Sequence, residues 1–495
     1  MADEQNTDGM IPGARAFAKE LAPSFIDHTC IVNGFAPPDG SPLGEGVGAG
    51  FAWCELHCGS AVTATLLAGS NPLGDFHAID ARAALLEQAR KLAAEANVRN
   101  IAFHELGVEQ ALSASFPMFD YIVLNGIYSW VPLMERGLIL SFVRKFLKPG
   151  GAVLVTYNAR PGWNRLDPFR RIFREATRGR NIDAKARFDA AREIYAKLLD
   201  AKAPAIVASG VTPATISEIE RIPLEAIAAD YANDFAEPLY ATEAFSDFAA
   251  IDCVFAGPID MAESAAVLMQ HEPFKSAMER MPQAAGRELA KDMLRDTRFR
   301  RDVFVRGGRR MAADNRAMVM TGLAFALEQS AATTRYEAKM PYGDIRFDNP
   351  HAQALVTALE RAPRTLGDLI ADGMARGVEA DAIVANVHAL LVTGQIRPIY
   401  RATPEADKGA RALREAIRTR AGTSDAIGFL PTGHGTAFSV PVPDQIFLGL
   451  PRNMPAEEMA RIAAESLPPM GEVIVQRARA FARNLPRYDA LSVAT

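Results

Sequence analysis

Apolar residues over the first third of the chain fall into short runs separated by segments of helical period. Phe51–Leu56 (FAWCEL) is a strand ending at an acid and a turn, His57-Cys58-Gly59-Ser60, and Ala61–Leu67 continues as helix. Asp75–Ile79 is a second strand closed by Asp80, and Arg82–Ala96 has apolar residues at helical spacing. Asn100–His104 and Tyr121–Leu124 are further strands. Arg136–Phe146 is a helix stopped by Lys148-Pro149-Gly150-Gly151, and Ala152–Tyr157 (AVLVTY) is an apolar run of the kind buried on both faces. The alternation predicts an α/β fold built on a doubly wound, mainly parallel sheet.

A length of 495 residues predicts about three domains at roughly 100–200 residues each. Net charge is -5, which argues against a broad nucleic-acid surface. Four cysteines are too few for a disulfide scaffold, and Cys54 and Cys58 read as apolar packing residues, so no metal site is expected. No apolar run approaches the roughly 20 residues of a membrane span. The polar, acidic start is unlike a secretory signal, and the expected location is the cytoplasm.

In an open α/β sheet the ligand lies beyond the carboxyl ends of the strands. Those ends are Glu55 to Gly59, Asp80, Gly107-Val108, Asn125-Gly126 and Asn158. Asp80 stands where an acid accepts hydrogen bonds from ribose hydroxyls, and capping the following helix is its structural alternative. Gly59 allows close backbone approach. The turn is poor in glycine for a dinucleotide pyrophosphate, whereas Glu55 suits the positive charges of S-adenosylmethionine (SAM), so electrostatics favours SAM over NAD.

Glu55–Ala61 resembles the ELGCGxG motif I of class I SAM-dependent methyltransferases, and Phe76–Asp80 resembles their second motif. Phe119–Pro132 and Leu147–Trp163 resemble a bacterial group with an attached methyltransferase regulatory domain, which includes protein-lysine methyltransferases of outer-membrane proteins. Ile227–Phe248 and Arg295–Gly307 resemble the start and end of that regulatory domain. The resemblance implies a Rossmann-like sheet, SAM as cofactor, and Glu55, His57, Gly59, Asp80, Gly107, Val108 and Asn125 as cofactor-binding positions. It departs at His57 and Ala61, which replace the outer glycines, at Asn125, where relatives commonly have His, and at Gly107, where many have an acid.

Chemistry is expected after strands four and five. Asn125, Tyr128 and Tyr157 are the catalytic candidates, and Trp130, Asn158 and Trp163 the substrate-binding ones, with an aromatic wall able to hold a lysine ammonium. Domain packing is the equal alternative for the tryptophans. His57 and His104 are nominal bases, a structural histidine being the better reading of His104.

The expected organisation is an N-terminal segment (1–50), a SAM-binding domain (51–165), a helical regulatory domain (166–340), a winged-helix-like domain (341–402) and an extension (403–495). The arginines of 165–180 read as a solvated helix face. The third helix of the winged-helix-like unit lacks Lys and Arg, so protein rather than nucleic-acid contact is expected. The leading expectation is methylation of a macromolecular acceptor, a protein lysine, with a homodimer left open. A small-metabolite or lipid-linked-sugar methyltransferase and a silent scaffold are the rivals.

Overall fold

The computed structural model describes residues 17–44, 50–180, 182–222, 227–263, 272, 274–340, 343–423, 425–467 and 470–493. Seven strands form the central sheet: β1 (Phe51–Leu56), β2 (Gly74–Ile79), β3 (Ile101–His104), β4 (Phe119–Leu124), β5 (Leu147–Asn158), β6 (Cys253–Pro258) and β7 (Phe299–Arg306). Their order is β3-β2-β1-β4-β5-β7-β6. The first five pair in parallel, and β7 runs antiparallel to both β5 and β6. Strand order reverses between β1 and β4, which places the ligand crevice above Leu56 and Leu124.

Alternation along the strands divides the core into two layers. Trp53, Phe76, Ala78, Tyr121, Val123 and Leu154 face one side, packed against α2 (Val62–Ser70) and α3 (Ala83–Glu95). Cys54, Leu56, Ile122, Leu124, Val155 and Tyr157 face the other, under α4 (Val108–Ser113), α5 (Leu133–Phe146) and the helix Ala241–Ala249.

Two expectations change. The segment 166–340, read as a helical regulatory domain, supplies β6 and β7, so the sheet extends past residue 165 into it. The charged residues of β7 hid it: buried Arg300 pairs with Asp292 at 2.7 Å, with Glu288 at 2.9 Å and with its strand neighbour Asp302 at 2.8 Å. Removing one member of such a cluster would cost about 3–5 kcal/mol, because the others remain buried and unpaired. In the C-terminal half, helices Pro350–Arg361, Leu366–Met374 and Ala380–Val392 occur as the winged-helix reading expects. The small sheet beside them differs: its middle strand is Ala324–Leu327, from upstream, and after Ile396–Ile399 the chain enters the helix Pro404–Arg418 instead of folding back as a wing.

The C-terminal extension is part of the main core. Gly69 of α2 lies against Leu413, where a Cβ would come within 2.5 Å of the leucine side chain, and a Cβ at Gly409 would come within 2.9 Å of the Gly69 carbonyl. Asn71 Nδ2 donates to the Gly435 carbonyl at 3.0 Å. The N-terminal helix α1 (Pro23–Val32) adds a buried tie: Asp27 accepts from Tyr121 at 2.7 Å and from Tyr400 at 2.6 Å. Burial raises the Asp27 carboxyl to about 6. Among the described residues no helix is long and apolar enough to cross a membrane.

The arginines after β5 are mostly paired at the surface, as Arg178 is with Glu175 (2.8 Å) and Arg165 with Asp296 (3.2 Å). Arg170 is the exception, buried with its guanidinium 5.9 Å from the Trp163 ring.

Candidate functional site

The turn after β1 keeps a glycine-type backbone without the glycines. His57 has φ 59°, Gly59 φ 57° and Ala61 φ 51°. A left-handed backbone costs a residue with a Cβ about 1–2 kcal/mol. The surroundings hold it: Cys58 N–H donates to the Ile79 carbonyl at 3.0 Å, Ala61 N–H to the Cys58 carbonyl at 3.0 Å, and Ala61 caps α2. The His57 imidazole turns toward α5, its Nε2 lying 3.5 Å from Glu135 Oε1 and making no hydrogen bond. Burial lowers its pKa, with the Arg82 charge acting in the same direction and Asp80 opposing.

Asp80 ends β2 with its carboxylate 1% exposed. Gly59 N–H donates to Oδ2 at 2.8 Å, which ties motif turn to strand end. Arg82 takes the rest: its backbone N–H and Nε each donate to Oδ1 at 2.9 Å, and Nη2 donates to Oδ2 at 2.9 Å. Burial alone would raise the Asp80 carboxyl; the bonds from Arg82 and Gly59 outweigh it and hold the group below the ordinary range. The Arg82 side chain is 51% exposed, so it covers Asp80 from the solvent side. The sequence reading missed Arg82, although an arginine two residues after a strand-end acid is short enough to reach back.

Glu55 is the second acid at this rim. It is buried, and its Oε2 has no hydrogen-bond partner. Burial first, and then the nearby charge of Asp80, raise its carboxyl to about 8. An orphaned buried carboxyl beside a second carboxylate fits a cationic ligand, and SAM carries an ammonium and a sulfonium. Gly107 and Val108 open α4, with Gly107 N–H donating to Gln110 Oε1 at 2.9 Å. They reach the same rim through Asp80, whose N–H donates to the His104 carbonyl at 3.1 Å. His104 itself stacks on His77 at 5.2 Å among phenylalanines, the structural role expected of it.

Asn125 follows β4 and accepts from Thr156 Oγ1 at 3.2 Å. Both line a cavity of about 830 Å³, to whose walls Glu55, Gly59 and Asp80 do not contribute. Its walls come from Phe17–Leu21, from Arg301 and Asp260, and from C-terminal residues including Arg397, Arg483 and Arg487.

The five other candidates lie elsewhere. Tyr157 belongs to the opposite layer of β5, where its hydroxyl donates to buried Asp302 at 2.6 Å; alternation that turns Thr156 toward the cavity turns Tyr157 away. Tyr128 is buried too, donating to Asp247 at 2.7 Å under the Arg136 guanidinium. Burial raises both phenol pKa values. Neither hydroxyl faces the cavity, so the catalytic reading of these tyrosines is corrected. Trp130 and Trp163 form no aromatic cage: Trp130 Nε1 donates to Asp230 at 2.8 Å, and Trp163 packs on Tyr231 at 5.6 Å. Asn158 Nδ2 also donates to Asp230, at 2.8 Å. These three anchor the segment around Asp230 onto the strand ends.

Residues 54–153 match the family model described as a methyltransferase domain, and residues 224–306 match the one described as a predicted methyltransferase regulatory domain. The second match contains β6 and β7. An uncharacterized protein of Synechocystis sp. is 26% identical over 401 residues, 80% of this chain and 79% of that protein. An uncharacterized protein of Rickettsia prowazekii is 30% identical over 118 residues, 24% of this chain and 47% of that protein. PKMT2 from Rickettsia typhi in complex with AdoHcy superimposes with a TM-score of 0.66 at 15% identity, covering 96% of this chain and 98% of that one, which establishes a shared fold.

Proposed function

We propose that this chain, a class I methyltransferase with an attached methyltransferase regulatory domain, transfers the methyl group of SAM to a lysine amine of a protein in the cytoplasm. The observation that carries the cofactor assignment is the orphaned Glu55 carboxyl beside Asp80 at the β1–β2 rim. Protein lysine as acceptor is supported by the resemblance of the sequence around Phe119–Trp163 to protein-lysine methyltransferases and by the name PKMT2 of the Rickettsia typhi fold neighbour.

Bound at this rim, SAM supplies an electrophilic methyl group on a sulfonium. The chain contributes position and field. Asp80 accepts the ribose hydroxyls once the Arg82 fork has moved aside, Glu55 balances the positive charge as a carboxylate, and the left-handed turn at Gly59 lets backbone approach the ligand. The acceptor nitrogen arrives through the cavity over Asn125 and Thr156 and must come as the neutral amine, since an ammonium has no lone pair to form the new N–C bond. After transfer the nitrogen is again cationic, and its proton leaves to solvent.

Calorimetric titration with S-adenosylhomocysteine (SAH) tests the cofactor assignment: wild type binds in the micromolar range, and D80N weakens binding at least tenfold. Absence of binding at millimolar SAH would make the chain a silent member of the fold. Tritiated methyl transfer into a cell extract, separated into protein and small-molecule fractions, tests the acceptor class, and label confined to small molecules would refute protein lysine.

A further inference from the structure

The cavity over Asn125 has a charge opposite to that of the whole protein. Six Lys or Arg side chains line it against three Asp or Glu, while the chain carries a net -5. Part of this cation excess is already neutralised. Arg397 forms a two-pronged pair with Glu328, which Lys19 also approaches at 3.3 Å, and Arg477 pairs with buried Asp444. Three guanidinium groups remain. Arg301 stacks on Phe299 at 5.3 Å and has Glu20 as its charged neighbour. Arg487 gives its Nε to the Leu327 carbonyl and leaves Nη2 without a hydrogen-bond partner. Arg483 is exposed, and among the described residues it makes no hydrogen bond or ion pair.

Arg301 stands close to Asn125. Thr156 of β5 pairs with Arg301 of β7, and Asn125 lies one strand further on. Two strand spacings put the Arg301 backbone about 10 Å from that of Asn125. That is the reach of about three residues along an extended peptide whose lysine points at Asn125.

We propose that this cavity recognises acidic side chains flanking the acceptor, so that the enzyme selects lysines set in acidic protein segments. The inference rests on the protein-lysine reading above and adds its specificity. Electrostatic complementarity of this kind sets partner choice and encounter rate more than raw affinity. The same cationic wall lowers the pKa of an approaching lysine and so favours the neutral amine that can accept a methyl group. A nucleic acid is the other anionic ligand. It is disfavoured because three arginines confined to one cavity of a chain with net charge -5 do not form the continuous basic stripe along which a phosphate backbone binds.

The test uses three fluorescent synthetic peptides with a central lysine flanked by glutamates, glutamines or arginines. Binding to the full-length protein is followed by anisotropy in the presence of SAH, together with tritiated methyl transfer to each peptide. The glutamate peptide is expected to bind at least tenfold more tightly than the arginine peptide, with a preference that shrinks as salt rises from 50 to 300 mM. In R483E, and independently in R301Q, the preference falls to within about threefold while SAH affinity measured by calorimetry stays unchanged. Equal binding of the three peptides, binding of none, or an R483E variant with full preference overturns the proposal. A uridine oligonucleotide that displaces the glutamate peptide at lower concentration than unlabelled peptide does so as well. SAH binding reports separately on the methyltransferase reading: a wild-type protein that binds SAH but does not discriminate among the peptides refutes the specificity alone.

Discussion

Arg82 occupies the two oxygens that a ribose would use. Its Nε and Nη2 sit 2.9 Å from Oδ1 and Oδ2 of Asp80, so the hydroxyls of a nucleoside must displace a two-pronged ion pair. R82M removes the fork while keeping an apolar stem of similar length. Because the guanidinium is half exposed, the pair is screened by solvent, and its release costs about 1 kcal/mol at most. Sparing that cost tightens nucleoside binding by a factor of about 5. Adenosine is the informative ligand, because it is neutral and isolates the sugar contact from the amino-acid end of the cofactor. Calorimetry at pH 7.5 should show adenosine and SAH binding about fivefold tighter in R82M than in wild type. The difference should shrink in 0.5 M salt, which weakens the competing pair in wild type only. An R82M variant that binds both ligands several-fold more weakly would make Arg82 a ligand contact instead. Unchanged affinity together with unchanged D80N affinity would remove Asp80 from the binding site.

Two further outcomes follow from buried groups. The Glu55 carboxyl, at about 8 against an ordinary 4.5, is held protonated by the fold, so its contribution to stability is full below about 4.5 and is lost as pH rises through 8. A cationic cofactor prefers the carboxylate, so SAM binding below pH 8 releases a proton and its affinity rises by up to tenfold per pH unit toward 8; calorimetry in two buffers of different ionisation enthalpy counts that proton, and E55Q should abolish it. Y157F removes a hydroxyl that donates to Asp302 and should cost about 2 kcal/mol in chemical denaturation while leaving kcat within twofold, whereas a hundredfold loss of kcat would return Tyr157 to the active site.

β1, β4 and the second half of β5 were legible because they are buried on both faces and therefore read as apolar runs, FAWCEL and AVLVTY above all. β7 was not, because the first half of FRRDVFVR gives its buried positions to Arg300 and Asp302, which satisfy each other and the helix Ala284–Arg295, and only Val303, Phe304 and Val305 remain as buried apolar residues. No period-two apolar pattern survives such pairing. At the site, the substitution of glycine at positions 57 and 61 could be read, but the sequence does not tell whether the turn changes shape; the structure keeps all three left-handed residues and accepts the strain. The tyrosines were misplaced for a reason the sequence contained. Strand alternation alone assigns Thr156 and Tyr157 to opposite faces, and only one of them can look into the crevice.

What no local pattern could give is the cavity, because its walls come from residues nearly 470 positions apart. Arg301 is present there because β7 completes the sheet, Phe17–Leu21 because α1 is tied through Asp27 to Tyr121 and Tyr400, and Arg487 because its own Nε reaches the Leu327 carbonyl. The segment matched as regulatory therefore does more than sit beside the catalytic sheet. It contributes β7, which pairs with β5, and the edge strand β6, and its Asp230 gathers Trp130 and Asn158 from the ends of β4 and β5. A displacement of that segment would move the ends of β4 and β5 before it touched the turn after β1, which is held independently by Gly59, Asp80 and Ile79. Regulation through this segment would accordingly change the KM for acceptor more than the affinity for SAH.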